Sequence, residues 1–122
     1  MKKLTALALL ATAFAAPAMA DCNYPSAPAK TPDGNTATYE EMIAARTALQ
    51  SYNKEMEGYL SCIKTEADDK LAKGGSDMTE DQKKQVATLY AKKNDAAVDE
   101  LQTVAAKLNE QIRVYLAKHP KK

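Results

Sequence analysis

The sequence predicts an all-α fold: a long antiparallel helical hairpin led by an irregular, proline-containing N-terminal arm. Three observations carry this reading. Thr38-Tyr39-Glu40-Glu41 and Thr79-Glu80-Asp81-Gln82 are capping boxes, the sequence signature of a helix start. Each is followed by a long apolar stripe at helical spacing. Gly74-Gly75 separates the stripes, and so short a connection makes the two helices antiparallel neighbours. No stretch reads as a strand.

The chain divides into a leader (1–20), an arm (21–37), the hairpin (38–118) and a basic tail (119–122). Lys2 and Lys3 precede an uncharged apolar run from Leu4 to Ala16. Pro17 breaks this run, and Ala18-Met19-Ala20 supplies small residues at the −3 and −1 positions of a cleavage site. This is the pattern of a removable signal peptide, too short for a membrane span. Its removal takes two of the 17 basic residues and none of the 16 acidic ones, so the net charge moves from +1 to −1. A mixed, near-neutral surface argues against nucleic acid or an anionic membrane as partner. No integral membrane segment is expected after the leader is removed.

In the arm, Pro25, Pro28 and Pro32 forbid a helix and favour polyproline II, and Asp33-Gly34-Asn35 signals a turn. Cys22 and Cys62 are the only cysteines. In an exported chain an even count most simply means a disulfide, and hence a periplasmic or secreted location. The rival reading, a lipid-modified Cys22, fits badly because Asp21 stands where lipoprotein signals need a small uncharged residue. Reach permits the disulfide. A helix climbs about 36 Å from Thr38 to Cys62, and residues 22–38 span about 50 Å in polyproline geometry. The arm can therefore fold back along the first helix, bringing Tyr24 near Tyr59 or Cys62.

The first helix carries Met42, Ala45, Leu49, Tyr52, Met56, Tyr59 and Ile63 in a three–four heptad rhythm. Glu66 and Lys70 take the next seam positions, so the stripe is expected to shift to Leu60, Ala67 and Leu71. Glu66–Lys70 and Asp69–Lys73 are i,i+4 pairs in the favourable order. The second helix carries Val86, Leu89, Tyr90, Ala97, Leu101, Val104, Leu108, Ile112 and Tyr115, widened by Val98, Ala105 and Leu116. Lys92-Lys93-Asn94-Asp95 interrupts this stripe, either as a kink or as a break with Asn94 capping a third helix. No Glu or Gln follows at the position that would complete such a cap. Pro120 and the lysines around it close the helix with positive charge at its negative end. The helices should measure about 53 and 58 Å.

The sequence offers little reactive chemistry. Asp69, Gly74, Asp77 and Glu80 fall at positions 1, 6, 9 and 12 of a calcium-loop spacing, but Leu71 and Lys73 occupy ligand positions, and an ammonium there repels a cation. His119 is the only histidine and sits in the tail, where it cannot assemble a zinc site or a triad. There is no Cys-x-x-Cys motif, and Met42 and Met56 read as core filler. The carboxylates pair along helices or cap them rather than gathering in an apolar pocket suited to acid–base work. No enzyme activity, metal or cofactor is expected. Tyr52, Tyr59, Tyr90 and Tyr115 read either as core edge with hydroxyls in water or as a contact surface, where a residue with one apolar and one wet end is favoured.

The pattern Cys22…Pro25…Pro28…Pro32-Asp33-Gly34…Glu41-Met42…Tyr52…Tyr59-Leu60-x-Cys62 resembles a family of small exported proteobacterial helical proteins. Those proteins share an N-terminal cysteine, a proline-rich lead and a Tyr-Leu-x-Cys motif. The likeness spans residues 22–62 and implies an exported, disulfide-containing helical protein; it brings no activity with it. A coarser likeness to periplasmic helical chaperones is one of fold class alone. The functional expectation is a non-enzymatic periplasmic interaction or structural protein, with a chaperone-like holdase as the alternative. Because the second stripe is wider than one helix can cover, the proline arm, a second copy in a homodimer or a protein partner is expected to cover it.

Overall fold

The computed structural model describes residues 22–121; the expected leader, Asp21 and Lys122 lie outside them. Two long helices form the fold, α1 (Tyr39–Gly74, 36 residues) and α2 (Glu80–Lys118, 39 residues), joined by one 3-10 turn at Gly75–Asp77. Among the described residues there is no strand.

Both helix starts are chemically explicit. The Thr38 hydroxyl accepts from the Glu41 N–H at 3.2 Å, while the Glu41 carboxylate accepts from the Thr38 N–H at 2.7 Å. Thr79 and Gln82 repeat the exchange at 3.1 and 2.9 Å. Each box satisfies two of the amides that a helix start leaves orphaned, and losing such a cap costs about 1 kcal/mol. At the other end of α1, Gly75 adopts φ 46°, and its N–H returns to the Leu71 carbonyl. A side chain is strained at that backbone angle, so glycine is required there.

No break occurs at Asn94, and α2 runs unbroken through Lys92–Asp95. The two-helix hairpin therefore holds, and the alternative of a break with a third helix does not. Without a glutamate or glutamine to complete a cap, a break would leave amides unsatisfied that a continuous helix bonds internally.

The seam of α1 is buried where the heptad rhythm placed it. Met42, Tyr52, Met56, Tyr59 and Ile63 are each less than one-tenth exposed. All of them but Met42 form one cluster with Ala97, against which the half-buried Leu101 and Val104 of α2 pack. Burying a side chain such as Met56 or Ile63 contributes about 1.5–3 kcal/mol. The expected shift of the stripe holds only in part: Leu60 packs on the core and Ala67 is half-buried, but Leu71 is exposed. Glu66–Lys70 forms as expected, but the other ion pair on this stretch of α1 is Lys64–Asp68.

The arm packs back on the hairpin and is covalently fixed there. Cys22 and Cys62 form a disulfide with their Cα atoms 5.7 Å apart. From that bond the arm descends the groove between the helices. Ala27 packs on the core, Gly34 donates its N–H to the Gln111 side-chain oxygen at 2.8 Å, and Lys118 reaches the Asn35 carbonyl at 3.4 Å. Just before α1 the chain reverses on Asp33. Its carboxylate accepts from the Asn35 N–H at 2.8 Å and its carbonyl from the Thr36 N–H at 3.0 Å. The Asn35 hydrogen bonds hold the Asp33 carboxyl below its ordinary range.

Candidate functional site

The described part of the arm begins at Cys22, which is pinned at Cys62, and it covers the hairpin only from that bond down to the start of α1. Towards the Gly75 turn, no described residue fills the space between the helices. A cavity of about 510 Å³ opens there, within the range of ligand-binding clefts.

The local sequence explains the opening. Over the base half, α1 directs Tyr52, Met56, Tyr59 and Ile63 at α2. Over the tip half its corresponding residues are Ala67, Lys70 and Gly74, too small or too polar to fill the same gap. The wall from α2 is apolar, with Val86, Leu89 and Tyr90 lining the cavity. Leu89 is 50% exposed, so this half of the stripe is left wet. A depression of about 750 Å³ also follows the arm along α2, where Asp33, Lys107 and Glu110 stand among Pro32, Ala106 and Val114.

Charge closes the inner end of the groove. Glu66 pairs with Lys70 at 2.7 Å along α1 and with Lys93 at 3.8 Å across to α2. The Lys70 hydrogen bond, and beyond it the Lys93 charge, hold the Glu66 carboxyl below its ordinary range. Glu66 also lies 3.7 Å from the Cys22 sulfur. A disulfide sulfur has no proton to donate, so this is a contact and not a hydrogen bond.

A polar latch lies beside the disulfide. The Glu100 carboxylate accepts from the Tyr24 hydroxyl at 2.7 Å and from the Tyr52 hydroxyl at 3.1 Å. The Tyr24 ring meets the Tyr59 ring edge-on with centroids 4.9 Å apart, an arrangement that adds about 0.5–1.5 kcal/mol. Arm, α1 and α2 thus converge on one carboxylate. Burial first, and then the Glu100 hydrogen bond, push the Tyr52 hydroxyl up to about 12. The same causes raise Tyr24 above its ordinary value, but that residue is 43% exposed and more strongly screened by solvent.

The raised tyrosine pKa has a sign. An unfolded tyrosine ionises near 10, so the stability from Tyr52 is complete below about pH 10 and is lost as pH rises through about 12. Ultraviolet titration of the six tyrosines should therefore show a late component that coincides with alkaline unfolding. In Glu100→Gln the amide can still accept a tyrosine hydroxyl, but the charge is gone. The late component should then move down towards pH 10. An unchanged late component in that variant would show that Glu100 does not hold these hydroxyls.

The tyrosines expected as a contact surface divide. Tyr52 and Tyr59 are 2% and 8% exposed and belong to the core. Tyr115 stacks on His119 near the end of α2, with centroids 4.2 Å apart. Tyr90 alone among them lines the groove. The latch through Glu100 was not anticipated; the available signal was an acid flanking the α2 stripe opposite a row of α1 tyrosines. Among the described residues, no group of three or more His, Cys, Asp or Glu side chains gathers to hold a metal. None of the described helices is long and apolar enough to cross a membrane. No protein-family model, curated protein or solved structure significantly matches the chain, so its function is read from its own geometry.

Proposed function

We propose that the protein is an exported, non-enzymatic interaction protein that engages another protein, or a second copy of itself, through the tip half of its inter-helix groove. One observation carries the reading. The same two helices are sealed by the arm over their base half, while the apolar wall of Val86, Leu89 and Tyr90 continues past the disulfide without a cover among the described residues. An apolar cleft that the fold leaves open, rimmed by charge, is the usual form of a binding surface. Export is supported by the disulfide, which persists in oxidising compartments, and by the leader pattern and the resemblance to small exported proteobacterial proteins. The latch at Glu100 is spent on holding the arm.

Pull-down with the tagged, oxidised protein from a periplasmic extract tests the reading when run beside an Ala67→Phe variant. Phenylalanine at that position fills the groove from the α1 wall. One or two stoichiometric partners, lost with Ala67→Phe, are expected. A broad set of unfolded clients, captured equally by both forms, would identify a holdase instead. Partners retained unchanged by the variant would remove the groove from the function.

A further inference from the structure

We infer that the tip half of the groove takes an extended, uncharged peptide segment of about five residues, bound in the way the protein binds its own arm. The inference rests on the proposed interaction role and names the class of partner.

The arm is the precedent. Residues 22–28 cross these same two helices as extended chain, seated by side chains: the Tyr24 ring meets Tyr59, its hydroxyl donates to Glu100, and Ala27 packs on the core. Where the arm then turns, α2 holds its backbone, the Gln111 amide oxygen taking the Gly34 N–H and Lys118 donating to the Asn35 carbonyl. The open half continues that groove and again offers amide and ammonium groups. Gln85 lines it, and the Lys70 and Lys93 ammonium groups stand at its rim, 43% and 38% exposed. An extended backbone presents both N–H and C=O groups, which an amide and ammonium groups can satisfy.

Size and charge narrow the occupant. From Ile63 to Gly74 the α1 wall is about 16 Å long, which spans about five residues of polyproline-like chain. The charged lining balances, Lys70 and Lys93 against Glu66 and Asp77, so neither a basic nor an acidic segment is favoured. The arm sequence Asn23–Ala29 has this chemistry: uncharged, apolar and broken by prolines.

A fluorescein-labelled synthetic peptide of that sequence, Asn-Tyr-Pro-Ser-Ala-Pro-Ala, is therefore the probe. Anisotropy titration with the oxidised protein is expected to show saturable binding below about 1 mM. A peptide with the two prolines and the tyrosine replaced by lysine should bind at least tenfold more weakly. Binding should fall at least tenfold in Ala67→Phe and in Val86→Glu, which act from opposite walls. Melting monitored by circular dichroism must keep both variants folded, and Ala67→Phe is expected to hold or raise Tm because it fills space. Absence of saturation by the millimolar range overturns the inference, as does binding that both folded variants leave intact. A concentration-dependent dimer in sedimentation equilibrium, abolished by Ala67→Phe, also overturns it, because the occupant is then a second copy. If the pull-down loses its partner with Ala67→Phe while the peptide fails to bind, the groove remains the binding surface and only the extended-peptide class is rejected.

Discussion

Removing the disulfide by the double substitution Cys22→Ala and Cys62→Ala is expected to lower the unfolding free energy by about 4 kcal/mol. The bond closes a loop with a sequence separation of 40, and the chain-entropy account gives about that value for such a loop. For a domain of this size, whose total stability is on the order of 5–15 kcal/mol, the change corresponds to a Tm lower by about 15–30 °C. The loss should also be local before it is global. Without the bond, the first residues of the arm keep only the Tyr24–Glu100 hydrogen bond and the Tyr24–Tyr59 ring contact. Both are small against the freedom regained by the released chain. Hydrogen exchange should therefore show lost protection beside Tyr59 while the α1 and α2 amides near Met56 and Ala97 stay protected. Urea denaturation of the double variant reads the global effect. A loss below about 1 kcal/mol would mean that the arm is held by packing and that the bond is incidental.

What the sequence made legible, and what it did not, follows from how local each signal is. Thr38 and Thr79 announce helix starts within four residues, and the boxes form with both hydrogen bonds. The seam from Met42 to Ile63 repeats often enough to fix one face, and that face is buried. The disulfide was readable because the chain holds only two cysteines behind an export-like leader, and the arm is long enough to bring Cys22 to Cys62. Other features depend on positions far apart in the chain. Glu100 looks like any surface acid until Tyr24 and Tyr52 arrive at it from the arm and from α1. Tyr52 and Tyr59 share the period of core and of contact surface alike, and what decides for burial is α2 packed on Tyr52 and the arm packed against Tyr59. Glu66 and Lys70 were visible as the end of the apolar seam. That the helices stay paired beyond them, leaving an open groove, is a property of two chains of side chains seen together. At Asn94 the local interruption was real, but helix propagation on either side outweighs it.

Gly34→Ala is expected to destabilise the protein by about 3 kcal/mol, the second largest effect. Gly34 was legible only as a turn residue, and its backbone does not need glycine: Gly75 is the one glycine among the described residues with positive φ. The need comes from contact. A methyl group at Gly34 would collide with the Gln111 carbonyl oxygen and stand 2.8 Å from the Tyr115 backbone nitrogen and 3.0 Å from the Val114 Cβ. Two of those atoms are helix backbone, which cannot rotate aside as a side chain could. Either the arm lifts off α2, giving up the Gly34–Gln111 hydrogen bond, or α2 deforms. Overpacking of this kind costs about 1–3 kcal/mol, and the lost hydrogen bond adds about 1 more. Gly58 supplies the contrast. It lies within α1, and nothing stands within 4 Å of a Cβ placed there. Gly58→Ala should therefore stabilise by about 0.5–1 kcal/mol through helix propensity alone. Opposite signs for the same chemical change, measured side by side in urea, would show that the arm is seated on α2 by close backbone contact. If both substitutions stabilise, the arm does not lie against Gln111 and Tyr115, and its course along the groove must be redrawn.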